Sequence, residues 1–252
     1  MMFRCAIRNG GMLFLVLLFT VISTRGDAGA EFTAANQLYE QGRFTEAARA
    51  YERLMEHGTD TTGIHYNLAN TRYKAGQLGA ALGHWRLAQS VSPRQPEIIS
   101  NLQFAQANAP TLRRSALQSW ESWVRHLTLN EWTVLALGSV WLWTALLLLT
   151  TLRPSFATSL RGYTPVAAIV ALISLLGLGI SAWSRIVRPL AIVISKDAPV
   201  RYGPVEESKV AFTLTEGMEA RLHESRSGWH RISLPDGRNQ GWIRSGTCVV
   251  VR

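Results

Sequence analysis

Side chains able to act as nucleophiles, bases or metal ligands are scattered along the 252 residues rather than grouped. Covalent catalysis needs a nucleophile within reach of a base, and a metal needs His, Cys or carboxylates at ligand spacing. The six His are dispersed, the Cys stand at 5 and 248, and no Gly-rich loop is of the phosphate-cradling kind. Glu206 and Glu207 are neighbours in a polar stretch and read as solvated charge. Cys248 has no second thiol near it and reads as a half-buried strand residue close to the C-terminus. A cell-wall amidase would need a Cys nucleophile with a partner His in a separate domain, and this chain carries no such pair. The chain therefore reads as a non-enzyme needing neither metal nor cofactor, and its chemistry is that of recognition.

The stretch "IHYNLANTRYKAGQLGAALGHW", Ile64 to Trp85, reads as two short helices with small residues where they would touch. It belongs to a repeat. Tyr39 recurs as Tyr73, Gly42 as Gly76, Ala47 as Ala81 and Tyr51 as Trp85, each 34 residues on. Gly permits a tight turn between helices, Ala lets them approach, and Pro93 ends the second helix because it cannot continue the hydrogen-bond ladder. Leu68, Ala69, Tyr73, Gly76, Ala81, Trp85, Ala88 and Pro93 fall on one pattern, and this period resembles the tetratricopeptide repeat. The resemblance implies about two and a half repeats over 31–110, closed by a single helix with "EIISNLQFAQAN".

On the matching positions, a concave, peptide-holding face would carry Asn36, Tyr66, Asn70, Tyr73 and Lys74, with Asn67 and Asn101 in the neighbouring row. Those polar residues would equally solvate a short scaffold. One subclass of the family clamps a partner's C-terminal carboxylate with basic residues. Phe32 and Glu97 stand where those bases belong, so that specificity is not carried over.

The elements around the repeat place it beside a membrane. Arg4 and Arg8, the apolar run Met12 to Ile22 and the small residues Ala28 and Ala30 read as a signal peptide over 1–30, with an uncleaved anchor as the alternative. Trp132–Leu152 and Pro165–Trp183 carry no charge and are long enough to cross about 30 Å of hydrocarbon as helices. They define transmembrane helices over 131–152 and 165–184, an antiparallel hairpin joined by a connector over 153–164. Before them, Ala116, Leu117, Trp120, Trp123, Val124 and Leu127 recur at helical spacing, predicting an amphipathic helix over 111–130. It would lie in the membrane interface or cap the repeats.

Orientation signals disagree. A cleaved signal puts the repeats outside the cytoplasm, whereas Arg113, Arg114, Arg125, Arg185 and Arg188 flank the same span ends and oppose that assignment. The signal acts first during translocation, so the repeats and the C-terminal part are expected on the extracytoplasmic side of the inner membrane.

Beyond the spans the period changes to that of strands. Ala191–Ile194, Val200–Tyr202, Val210–Leu214, Glu219–His223, Trp229–Leu234 and Gly241–Ile243 are β-prone runs separated by turn residues. "APVRYGP", "TLTEGM", "GWHRISLPDGR" and "GWIR" resemble the bacterial SH3-like family, which implies a small all-β barrel over 190–252. Such domains often bind cell-wall peptides or protein tails through an aromatic groove. Tyr202, Trp229 and Trp242 are the groove candidates here, and each Trp follows a Gly at a strand start and would equally serve as core.

Net charge is +9, and removing residues 1–30 takes away three Arg and one Asp to leave +7. The remaining bases are interspersed with acids and form no stripe tracking phosphates, so nucleic acid is not an expected partner. Anionic lipid or wall polymer such as peptidoglycan fits better. The module order resembles the BatE-type membrane proteins of the bacterial aerotolerance operon. That resemblance implies a multidomain membrane protein: an α-helical tetratricopeptide stack, a transmembrane hairpin and an SH3-like barrel. It further implies an envelope scaffold whose partners are von Willebrand A-domain membrane proteins and a MoxR-type ATPase system, with a wall-binding sensor or anchor as the alternative.

Overall fold

A computed structural model describes residues 28–59, 61–108, 123–187, 189–234 and 237–251. The expected signal peptide, apart from residues 28–30, lies outside the described residues. So do most of the expected amphipathic helix over 111–130 and the flanking Arg113, Arg114 and Arg188. The chain divides into two compact units, Met1–Gln77 and Leu78–Arg252.

The first unit holds α1 (residues 28–40), α2 (Phe44–Glu56) and α3 (Thr62–Lys74). Its core is small-residue packing around larger plugs: Ala35, Ala47, Ala48 and Ala50 bring the helices close, and Tyr51, Leu54, Ile64 and Leu68 fill the remaining space. The Phe32 and Tyr51 rings meet in an edge-on pair, with centroids 5.9 Å apart. The 34-residue period is written into the backbone. Gly42 and Gly76 both take φ +75°, which glycine enters without a Cβ penalty. At each helix end three amides reach back in matching pattern: Gln41, Gly42 and Arg43 to Gln37, Tyr39 and Leu38, then Ala75, Gly76 and Gln77 to Thr71, Tyr73 and Arg72.

The second unit begins with α4 (Leu78–Val91) and α5 (Pro96–Asn108), which pack together and bury Leu82, Trp85, Ile98 and Leu102. Next come α6 (Leu129–Leu152), the seven-residue α7 (Pro154–Leu160) within the expected connector, and α8 (Tyr163–Ile186). A capping box fixes the start of α6. The Thr128 hydroxyl accepts from the Glu131 amide, and the Glu131 carboxylate accepts from the Thr128 amide. Helix α8 turns Ala167, Ala171, Ser174, Gly177, Ser181 and Ser184 inward, a small-residue face that lets α6 approach. A Cβ on Gly177 would fall 2.2 Å from the Trp132 ring. Both helices are long and apolar enough to cross a membrane, and only 6% and 17% of their most apolar windows are buried. The core helix of a soluble domain would be mostly covered. These two are candidate membrane spans.

The C-terminal part is a seven-stranded antiparallel sheet in the order β3-β2-β6-β5-β4-β1-β7. Its strands are β1 (Leu190–Val193), β2 (Asp197–Arg201), β3 (Val210–Thr215), β4 (Glu219–Arg226), β5 (Trp229–Ser233), β6 (Gln240–Arg244) and β7 (Cys248–Val251). Six fall on the predicted runs. The seventh, β7, was not among them, because "CVVV" has no alternation and follows a 3₁₀ turn at Ser245–Thr247 rather than a Gly/Pro turn signal. Inward residues Val200, Leu214, Leu222, Ile232 and Ile243 make one core with Ala191, Val193 and Cys248.

Helix α4 docks on this sheet. Strand β1 is buried on both faces: Ala191 and Val193 point into the sheet's core, while Leu190 and Ile192 alternate to the side that α4 covers. Two glycines set the approach. A Cβ on Gly79 would lie 2.3 Å from the Val193 carbonyl oxygen, and one on Gly83 would lie 3.0 Å from the Val249 Cβ. The Gly79 amide donates to Glu216 at 2.7 Å. The Arg86 guanidinium pairs with Glu219 at 2.7 Å, the side chains being 12% and 8% exposed.

Candidate functional site

Two surfaces carry recognition chemistry. The first is a hollow of about 280 Å³ in the first unit, lined by Asn36, Tyr39, Glu40, Tyr51, Asn67 and Asn70. Helices α1 and α3 contribute the three Asn side chains from half-buried positions. The Asn36 carbonyl oxygen accepts from both the Tyr51 hydroxyl and the Asn67 amide, at 2.5 and 3.0 Å. Burial pushes the Tyr51 phenol up to about 12, so it remains a donor at neutral pH. The lining offers amide, phenol and one carboxylate, and among the described residues it contains no Lys or Arg. A partner's backbone amides suit it better than a terminal carboxylate.

Of the seven residues predicted on this face, Asn36, Asn67 and Asn70 come together here. Tyr66 is half-buried outside the lining, Tyr73 is 37% exposed and Lys74 is exposed. Asn101 is a half-buried residue of α5, in the second unit. Tyr39, Glu40 and Tyr51 were missed as lining residues. Tyr39 and Tyr51 were visible as repeat positions, but the period alone does not say that they line a hollow.

The second surface is the outer face of the sheet. Val200, Ile232 and Ile243 point into the core, so their neighbours Arg201, Arg231 and Trp242 alternate outward. Trp242 stands opposite Arg201 on one side and Arg231 on the other, and opposed residues share a face. Half-buried Trp242 is thus flanked across the sheet by two arginine positions. Tyr202, 71% exposed, follows directly. The adjoining loop is tied back by Arg201, which donates to the Ser208 carbonyl at 2.6 Å, by the Gly203 amide on the Ser208 hydroxyl and by an ion pair of Glu206 with Arg244.

Trp229 departs from the groove expectation. It is only 9% exposed, which favours the packing role left open for it. Cys248 is buried rather than half-buried, and burial pushes its thiol up to about 11. The two arginines opposite Trp242 went unnoticed, since cross-strand register is not readable from a run of single residues. Among the described residues, no group of three or more His, Cys, Asp or Glu is placed to hold a metal.

No curated protein matches the chain. The family model of the bacterial SH3 domain matches residues 195–248, from just before β2 to the first residue of β7.

Proposed function

We propose that this chain is a membrane-anchored binding protein of the bacterial envelope, not an enzyme, and that its C-terminal sheet grips cell-wall peptidoglycan. The observation that carries this reading is the Arg201, Trp242, Arg231 row on the outer face of a domain matching the bacterial SH3 family. An indole stacks on apolar or sugar surface while flanking guanidiniums take carboxylates in bidentate fashion. Helix α4 precedes the two spans and β1 follows them, yet they pack together. That supports one shared side of the membrane for both, the extracytoplasmic side in this reading. The test is sedimentation of the detergent-solubilised full chain with purified sacculi. Salt-sensitive pelleting, weakened by Trp242→Ala, is expected; a chain left entirely in the supernatant overturns the reading.

The hollow favours a second role in the same molecule. Its amide-lined floor and the 34-residue backbone repeat support a tetratricopeptide-type module that holds a partner's extended segment. The module order supports a BatE-like scaffold, with von Willebrand A-domain membrane proteins and a MoxR-type ATPase system as partners. Stoichiometric recovery of such proteins with the detergent-solubilised chain, reduced by Asn67→Ala, is the expected outcome. Recovery unaffected by the substitution would remove the hollow from this role.

A further inference from the structure

A cationic cavity lies at one end of the two candidate spans, and neither recognition surface uses it. It measures about 110 Å³, and among its lining residues Arg86, Arg125, His126 and Arg185 meet apolar Leu190 and Val251. Among the described residues the lining contains three guanidiniums and no carboxylate; Glu219, which holds Arg86 in place, does not line it.

The arginines are fixed by reciprocal bonds. Arg125 donates from Nη2 to the Ser184 carbonyl at 2.8 Å, and Arg185 donates from Nη2 to the Leu127 carbonyl at 2.7 Å. These bonds join the segment before α6 to the last turn of α8, where carbonyls lack helical partners. The bond to Leu127 uses only one of the five N–H donors of the Arg185 fork. The Arg185 Nε–H is buried and meets no acceptor among the described residues, and leaving a buried donor unmet is costly.

Position supplies the rest. Helix α6 starts at Leu129 and α8 ends at Ile186, so the cavity is level with one boundary of the apolar pair. Lipid phosphates lie at that depth, and basic pockets beside membrane helices take anionic headgroups. We infer that this cavity is a phosphate site that seats the headgroup of an anionic phospholipid, with the Arg185 fork as its principal donor and Leu190 and Val251 against the glycerol. The inference rests on the spans crossing a membrane and is independent of any wall or protein ligand.

The test uses the unmodified full chain in neutral detergent. It is titrated in parallel with short-chain phosphatidylglycerol, short-chain phosphatidylcholine and inorganic phosphate, reading bound mass by native mass spectrometry and the shift in Tm. Phosphatidylglycerol should bind about tenfold more tightly than phosphatidylcholine, and Arg185→Gln should remove about tenfold of that affinity. Arg185→Lys should recover part of it by restoring charge without the fork. Inorganic phosphate matching phosphatidylglycerol would assign the site to free phosphate rather than lipid. Equal binding of the two lipids by the unmodified chain overturns the inference, as does unchanged affinity in Arg185→Gln. The lipid comparison needs no substitution, so it stands even where a variant fails to fold.

Discussion

Helices α2 and α4 occupy equivalent places 34 residues apart, and they face different surroundings. Where α2 exposes Thr45 and Arg49, α4 buries Gly79 and Gly83 against the sheet. Where α2 carries Glu52, paired with Arg72 in its own unit, α4 carries Arg86, paired with Glu219 across a buried contact. The shared positions hold the repeat: Ala47 and Ala81, Tyr51 and Trp85, Leu54 and Ala88 are all buried. The positions that differ make the dock. A repeat thus keeps its internal contacts while its outward face is rewritten, residue by residue, to fit a neighbouring domain.

Breaking the buried ion pair should give the largest difference between the two helices. Glu219→Ala leaves the Arg86 charge buried without its carboxylate and should cost about 3–5 kcal/mol of stability. Glu52→Ala, at a half-exposed pair, should cost below about 1 kcal/mol. Thermal unfolding of the full chain in detergent measures both, and equal losses would erase the distinction. Next comes the glycine contact. Gly79→Ala forces a Cβ onto the Val193 carbonyl and should cost about 1–3 kcal/mol, whereas Thr45→Ala should stay within about 0.5 kcal/mol. The common part of the repeat should respond alike. Gly42→Ala and Gly76→Ala each place a Cβ at φ +75° and should cost about 1–2 kcal/mol apiece in the same assay.

The smallest effect is a reporter. Cys248 heads β7, whose next residue, Val249, touches Gly83. Its thiol is raised from 9.0 to about 11 by burial, so the protonated form is favoured in the fold. The stability this group contributes is present below pH 9.0 and is lost as pH rises through about 11. In a Cys5→Ser background, alkylation at pH 8 should be slow, and Gly83→Leu should speed it by loosening the dock. Fast labelling of the unmodified chain would mean that β7 is not covered as described.

Much of this organisation was legible from local pattern. Uncharged runs announced the two candidate spans, a strict 34-residue period announced matching helix ends at Gly42 and Gly76, and alternation located six strands. What escaped depends on pairing between distant segments. Gly79 and Gly83 looked like ordinary small residues of a helical hairpin, because their meaning lies in Val193 and Val249, far along the chain. Arg201 and Arg231 became neighbours of Trp242 through strand register, and Asn36, Tyr51 and Asn67 met through helix packing. Period and composition report what one segment can do alone; they are silent on which remote segment completes it.

The dock on β1 and β7 also imposes an order of manufacture. Helix α4 is synthesised before both apolar helices, and its seat is synthesised after them. Throughout the interval its glycine-lined face has nothing to rest on, and any chain that stops before Leu190 keeps that face bare. A nascent chain can therefore make the dock only after both apolar helices and at least β1 have been made, so a correctly seated α4 certifies that translation has passed them. Proteolytic clearance of truncated chains, at rates governed by how often the open face is presented, is the expected cellular signature of this arrangement.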